Sequence, residues 1–264
     1  MAAAAVVVDR ESAELGKSLL TETDESAELE KSEKKPAASM MWRLFHVTCF
    51  SLAGFQFLIG AILVFPELWR NGSQKEIFLY NSGVVYTVGS IFFAVADATE
   101  WWYFRDFSLG DDLNFFANIV GSVLYIAGSY YGIPSVERTF WEILLLWAAS
   151  ATVVLSQTLK IMRPSWGSFN TYLKRAGYPT FFLDFATALG ASGYLAGTTC
   201  YLLPEKRRIQ THYACRDTGI ALFFFYGASF FLTAGLIMIY KYFFYLPHSH
   251  HPTNFGPFLW FYNA

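Results

Sequence analysis

The sequence predicts an all-α membrane protein with six transmembrane helices, arranged as three parallel two-helix hairpin repeats that pack on seams of small residues. Three observations support this fold class: the composition, the length of the apolar blocks and the spacing of small residues. Of the 264 residues, 54% are hydrophobic, 19% are aromatic and only 15% are charged. Soluble domains average about a quarter charged residues, so the composition favours a lipid bilayer.

From residue 46 onward, the apolar residues come in six blocks of about twenty residues each. A helix of about 20 residues crosses the roughly 30 Å of bilayer hydrocarbon. The blocks therefore predict helices near 46–65, 77–97, 113–133, 139–159, 180–203 and 218–241. The predicted membrane domain is 41–246, between an acidic N-terminal tail, 1–40, and a short His-rich and aromatic C-terminal tail, 247–264.

The N-terminal tail has a composition typical of disorder. Residues 1–40 hold nine acidic and five basic side chains and no aromatic residue, so they lack the apolar surface that would offset ordering entropy. The segment "ESAEL" occurs twice, fourteen residues apart, which leaves a transient helix or partner-binding segment open beside a solvated tail. The other 224 residues hold fourteen basic and twelve acidic side chains, a balance that argues against nucleic-acid binding.

Small residues recur seven apart in the odd-numbered blocks, and a proline follows each pair six or seven residues later. Because each unit contains two crossings, successive units share one orientation, which predicts parallel repeats about an axis along the membrane normal. The residues that define these seams are Ala53, Gly60 and Pro66; Gly121, Gly128 and Pro134; and Gly190, Gly197 and Pro204.

The even-numbered blocks carry stripes with the same spacing and different residues. Lipid provides no hydrophobic force between helices, so small residues that let backbones approach closely supply the contact energy. We therefore expect the stripes to lie at helix contacts. They are Gly83, Ser90 and Asp97; Glu142, Ala149 and Ser156; and Ala221, Ala228 and Gly235.

Three features favour an integral membrane protein with a cytosolic N-terminus. Nine Lys and Arg residues flank the helix ends on the N-terminal side and seven flank the other ends, in the sense of the positive-inside rule. Asn71 begins an N-glycosylation acceptor in the first outside loop. Cys200 and Cys215 flank the third outside loop, where an oxidising compartment could join them as a disulfide. A chance sequon and a merely buried Cys200 are the alternatives.

Polar residues inside the apolar blocks are the candidates for a solute pathway. A carboxylate at the bilayer centre costs some 2.5–3.5 kcal/mol, so intramembrane acids are functional candidates by default. A polar vestibule that faces the cytosol is one hypothesis for these residues, and snorkelling to the interface is the other. The candidates are Asp97, Glu142 and Asp184, together with Gln56 in the first helix and Asn118 in the third.

The sequence contains no catalytic signature. It lacks a Gly-rich phosphate loop and a Cys-x-x-Cys pair, and the "HSHH" run at 248–251 has only His46 and His212 to join it. Neither enzyme activity, a cofactor nor a metal site is therefore predicted. The favoured function is a structural or organising membrane component that contacts lipid and a membrane-protein partner or a second copy. The alternative is a transporter or channel for a small solute or ion.

The first hairpin resembles the YrhK-like domain, a family of short paired membrane helices without an assigned biochemical role. The similarity covers about 43–98 and extends to 113–160, where "ANIVGSVLYIAGSYY" repeats its Gly-Ser pairs. The resemblance implies a fold and a membrane setting, and it supplies no catalytic residues. The residues that carry it are Phe45, Gly54, Gly60 and Phe65, then Gly83, Gly89, Ser90 and Phe92.

Overall fold

The computed structural model describes residues 39–69, 74–104, 109–133, 140–161, 177–203 and 215–245, which are helical and contain no strand. A 3-10 turn, Pro66–Trp69, follows the first long helix, and a π-helical segment, Lys241–Tyr245, continues the last. The predictions for Asn71, for 1–38 and for 246–264 lie outside these residues. The long helices are α1 Met40–Leu63, α2 Lys75–Phe104, α3 Leu109–Gly132, α4 Phe140–Ile161, α5 Tyr178–Leu202 and α6 Asp217–Tyr240.

Five of these six helices, α1 to α4 and α6, are long and apolar enough to cross a membrane. The exception is α5, whose sequence is rich in Gly, Ser and Thr and carries Asp184. These residues lower its mean hydropathy. Neighbouring helices cover much of α5, because twelve of its 25 residues are buried.

Several helix ends extend beyond the predicted blocks, and the two largest extensions are those of α1 and α2. α1 begins at Met40 rather than near 46, and α2 continues to Phe104 rather than ending near 97. The added turns carry aromatic residues, and the rings of Trp42 and Tyr103 lie 4.6 Å apart between their centroids. Trp and Tyr concentrate at the level of the lipid headgroups. The two helices therefore continue beyond their apolar blocks into aromatic turns.

Each helix packs against the helices before and after it in the chain, and α6 packs against α1. The six helices thus form a closed ring of antiparallel neighbours. For example, the Ser82 hydroxyl near the start of α2 donates to the Gly60 carbonyl near the end of α1, at 3.0 Å. We call the end of the ring where α1 begins the amino end, and the end where α1 finishes the opposite end.

The small residues of the odd-numbered helices lie against large side chains of the next helix. Ala53 is fully buried, and any Cβ added to the seam glycines would meet a neighbouring side chain within 3 Å. Both glycines of the heptad pair do so in the second and third hairpins, and Gly60 does so in the first. Gly60 faces Tyr86; Gly121 and Gly128 face Val153 and Leu146; Gly190 and Gly197 face Phe231 and Phe224.

The stripes of the even-numbered helices also lie at contacts. An added Cβ on Gly83 would lie 3.3 Å from Ile133 after α3, and one on Gly235 would lie 3.0 Å from the Ser51 hydroxyl of α1. Ser90 and Ala228 are fully buried. These contacts join one hairpin to the next and close the ring between α6 and α1.

A second close crossing, between α5 and α6, involves glycines outside the heptad pattern. A Cβ on Gly193 would lie 2.8 Å from the Cα of Gly227 and 2.8 Å from the carbonyl oxygen of Phe223. These are backbone atoms, so no side-chain rotation could relieve the clash. The crossing therefore requires glycine at this position.

At the opposite end, Cys200 and Cys215 are joined by a disulfide, with their Cα atoms 5.2 Å apart and a sequence separation of 15 residues. A cross-link over a loop of this length stabilises a fold by about 3 kcal/mol in the chain-entropy account. Cys49 is the free cysteine of the described residues, and it is buried in α1. The bond ties the end of α5 to the start of α6.

Candidate functional site

Charged and polar side chains from α1 to α5 and from the π-helical segment after α6 gather at the amino end of the ring. We call this group the polar cluster. Although several members are ionisable, Arg43, His46 and Asp184 are each no more than 6% exposed. The cluster consists of Arg43 and His46; Asp97 and Glu100; Asn114, Asn118 and Ser122; Ser156, Gln157 and Lys160; Asp184; and Lys241 and Tyr242.

Lys160 links the acidic residues of the cluster. Its Nζ atom lies 3.8 Å from Oδ1 of Asp184, and the two side chains are 15% and 9% exposed. The same ammonium interacts electrostatically with Glu100 and Asp97 of α2. The last turn of α4 therefore places one cation among three carboxylates from two other helices.

Amide and hydroxyl groups of α3 and α4 form a second part of the cluster. The Ser156 hydroxyl lies 2.6 Å from Oδ1 of Asn114 and 2.7 Å from Oδ1 of Asn118, to which Gln157 Nε2 also donates at 3.3 Å. Among the described residues, Asn114 Nδ2 and Gln157 Oε1 are buried without a hydrogen-bond partner. Buried polar atoms normally have one, so these two point to water or a polar solute.

Two further contacts bring α2 and the end of α6 into the cluster. The Ser122 hydroxyl donates to Oδ2 of Asp97 at 2.5 Å. His46 stacks on Trp42, with centroids 4.9 Å apart, and its Nδ1 lies 3.5 Å from the Tyr242 hydroxyl. Tyr242 belongs to the π-helical segment, a type of irregularity that is frequent at functional sites.

Aromatic rings fill the middle of the helix ring. Phe57 is 1% exposed and meets five other rings edge to face at centroid distances between 5.2 and 5.6 Å. Such edge-to-face pairs add stability beyond the area they bury. The five rings come from α2, α3, α5 and α6. With Phe57 they form the aromatic layer: Tyr86, Phe93, Tyr125, Tyr194 and Phe231.

Towards the opposite end, a small cavity lies against the aromatic layer. Its volume is about 40 Å³, and the residues that line it include Glu142, Ser82, Ser129 and three tyrosines. Glu142 lies in the first turn of α4 and is 5% exposed. A Cβ on Gly132 would lie 2.6 Å from its Oε1, so the glycine leaves room for the carboxyl group.

The five candidates named from the sequence separate into one group of three and two single residues. Asp97, Asn118 and Asp184 lie together in the polar cluster. Glu142 lines the cavity towards the opposite end, because α4 runs from that end to the amino end. Gln56 is half-buried on the side of α1 that packs against α2. A Cβ on Gly89 of α2 would lie 3.0 Å from the Gln56 Cβ. The pathway residues therefore do not share one vestibule.

The described residues include no group of three or more His, Cys, Asp or Glu side chains that could hold a metal ion. The His-rich run at 248–251 lies outside them. No protein-family model, curated protein or solved structure matches the chain.

Proposed function

We propose that the protein is a six-span membrane carrier that binds a small polar solute in the polar cluster. The observation that carries this proposal is the convergence of Lys160 with three carboxylates inside a helix bundle. Ionisable residues within membrane segments are costly, and they usually face a cavity or a substrate pathway. The small-residue seams already supply the contacts that helix packing needs. Packing alone therefore gives no reason for the buried charged residues.

The architecture we propose is three parallel hairpin repeats with the amino end in the cytosol. The repeated heptad contacts support the repeats, since Gly60, Gly128 and Gly197 each receive a side chain from the following helix. The disulfide at the opposite end supports an oxidising compartment on that side. The extent to which neighbouring helices bury α5 supports a sixth crossing despite its low hydropathy.

The composition of the polar cluster favours a solute of no net charge. Three acids, Asp97, Glu100 and Asp184, are matched by three bases, Arg43, Lys160 and Lys241. The unpartnered Asn114 Nδ2 is a donor and the unpartnered Gln157 Oε1 is an acceptor. A zwitterion or a neutral polyhydroxy compound can accept a hydrogen bond from Asn114 and donate one to Gln157. Because such a solute has no net charge, it leaves no buried charge unbalanced.

The aromatic layer favours a carrier over an open channel. Its rings lie in contact across the middle of the helix ring, so they close the route between the polar cluster and the opposite end. Repeat-built carriers expose one site alternately to the two sides by rocking their repeats against each other. The polar cluster and the cavity on the other side of the layer suit such a mechanism.

An organising role is the second candidate, and the packed aromatic layer is the observation that favours it. A partner-binding component, which would contact another membrane protein or a second copy, needs a solid core and no solute site. The resemblance of α1 and α2 to the YrhK-like domain is compatible with either function, because that family has no assigned role. The two candidates differ in whether a solute binds.

The test is a thermal-shift screen of the purified full chain in detergent with amino acids, sugars, polyols, monocarboxylates and polyamines. A solute at 100 times its Kd stabilises the folded state by about 2.7 kcal/mol. We expect a zwitterion or neutral polyol to raise the Tm, and we expect Gln157→Met to abolish that shift while Gln56→Met retains it. A panel without a stabilising solute, or a shift that survives Gln157→Met, would contradict the proposal.

A further inference from the structure

We infer that the carrier takes a neutral polyhydroxy solute, a polyol or a sugar, and that four uncharged side chains bind its hydroxyl groups. This inference rests on the proposed function and narrows it to one class of solute. We call the four side chains the amide subsite. They are Asn114 and Asn118 of α3 and Ser156 and Gln157 of α4, and each is no more than 5% exposed.

The Ser156 hydroxyl has more acceptors around it than it has protons. Its oxygen lies 2.6 Å from Oδ1 of Asn114, 2.7 Å from Oδ1 of Asn118 and 3.2 Å from the Asn114 carbonyl oxygen. A hydroxyl group has one proton to donate, so the three oxygens compete for it. The amide subsite is therefore short of hydrogen-bond donors.

The side chain of Asn114 can present either polarity to a solute. When Ser156 donates to Oδ1 of Asn114, Nδ2 is a buried donor without a partner among the residues that the structure describes. When Ser156 donates to Asn118 instead, a half-turn of the Asn114 amide lets Nδ2 donate to Ser156 and places Oδ1 where it can accept from a solute. In both arrangements Gln157 uses Nε2 to reach Asn118, and its Oε1 stays an acceptor for the solute.

A hydroxyl group suits both arrangements. It donates one hydrogen bond and accepts up to two, so it can donate to Gln157 Oε1 and pair with Asn114 in either orientation of the amide. A carboxylate only accepts and an ammonium only donates. Each of these charged groups therefore fits one of the two polarities, whereas a hydroxyl group fits both.

The charged side chains of the polar cluster already compensate one another. Nζ of Lys160 lies 3.8 Å from Oδ1 of Asp184, and Lys241 interacts electrostatically with Asp184 and Glu100. A zwitterion would have to lose the hydration of two charged groups and compete with these contacts. A polyol or a sugar leaves them in place and needs only the hydrogen bonds of the amide subsite.

The experiment is isothermal titration calorimetry of the full chain in detergent with linear polyols, hexoses and zwitterionic amino acids. We expect the wild type to bind a polyol or a hexose and no zwitterion. A series of deoxy analogues of the tightest ligand then removes each hydroxyl group in turn. Loss of a contacted hydroxyl leaves a buried atom of the subsite unpaired, so at least one analogue should bind about tenfold more weakly. This comparison uses the wild-type chain and does not depend on the folding of a variant.

Asn114→Leu tests the contribution of the subsite itself. Leucine is similar in size and forms no hydrogen bond, so we expect the affinity for the polyol or hexose to fall about tenfold. Asn81→Leu is the matched control, because Asn81 is exposed on α2 and lies outside the polar cluster. We expect that control to bind as the wild type does.

The possible failures of this inference and of the carrier function differ. Gln157-dependent binding of a zwitterion, without binding of any polyol or hexose, would overturn the inference and leave the carrier function standing. Equal affinities for all deoxy analogues and for Asn114→Leu would also overturn it, as would Gln157-dependent binding of sodium ions that excludes the polyols. A chain that binds no solute at all would contradict the carrier function itself.

Discussion

Phe57→Ala is expected to lower the free energy of unfolding by about 3 to 5 kcal/mol, the range for truncating a buried phenylalanine. Phe57 is 1% exposed and contacts five rings from four other helices. Removing its ring leaves a hole that lipid cannot fill and forfeits dispersion contacts on every side. Equilibrium unfolding in mixed micelles measures the loss.

The same substitution should also open the barrier between the two polar regions. We expect proteoliposomes with Phe57→Ala to conduct protons faster than wild-type ones under an imposed pH gradient. Phe55→Ala is the matched control, because Phe55 lies on the same helix and is 50% exposed on its outer face. Equal losses of stability in the two variants would show that Phe57 is not the centre of the aromatic layer.

Lys160→Met is expected to lower the free energy of unfolding by roughly 3 kcal/mol, the lower end of the range for removing one partner of a buried ion pair. The lower end applies because the Lys160 side chain is 15% exposed. The loss removes the ammonium that lies 3.8 Å from Asp184 and that also interacts with Glu100 and Asp97, and it leaves Lys241 as a second cation that interacts with Asp184 and Glu100. Lys75→Met, at the start of α2 and outside the cluster, should have a far smaller effect.

A double-mutant cycle isolates the contact between Lys160 and Asp184. Lys160→Met combined with Asp184→Asn removes both charges, so the double variant should be more stable than the sum of the single effects predicts. Interacting residues typically couple by 0.5–3 kcal/mol. Additive effects would mean that the 3.8 Å pair contributes nothing and that Lys160 acts through other groups.

The helices and their small-residue contacts could be predicted because they depend on local pattern. A block of twenty apolar residues has few structures available in lipid other than a helix. Small residues at heptad spacing mark one face of that helix, as Gly121 and Gly128 do against α4. Which helix lies against that face depends on tertiary packing, so the closed ring was not predicted.

The close crossing of α5 and α6 shows the limit of the heptad pattern. Gly190 and Gly197 fit the spacing of seven, and Gly193 does not, yet Gly193 makes the contact with the backbone of Gly227. The two helices cross at an angle set by all their side chains, and the point of closest approach need not follow one stripe. A search for any glycine pair on facing helices would have included both residues.

Lys160 was missed as a site residue because a lysine in the last turn of a helix usually extends to the interface. Its partner Asp184 lies 24 residues further along the chain, and no local pattern connects them. One signal was present: Lys160 follows Ser156 by four residues and so continues the stripe of Glu142, Ala149 and Ser156. The polar residues of that face, rather than its small residues, indicated that Lys160 belongs to the site.

The proposed carrier requires that water reach the polar cluster from the amino end and that the aromatic layer stop it there. Thiol labelling in vesicles tests this directly, with an impermeant methanethiosulfonate trimethylammonium reagent and a Cys49→Ala background. Asp97→Cys should react when the reagent is on the amino-end side only, and Ser150→Cys, which is fully buried beside Tyr125, should react from neither side. An Asp97→Cys that stays unreactive, or that reacts from the opposite side, would contradict the account.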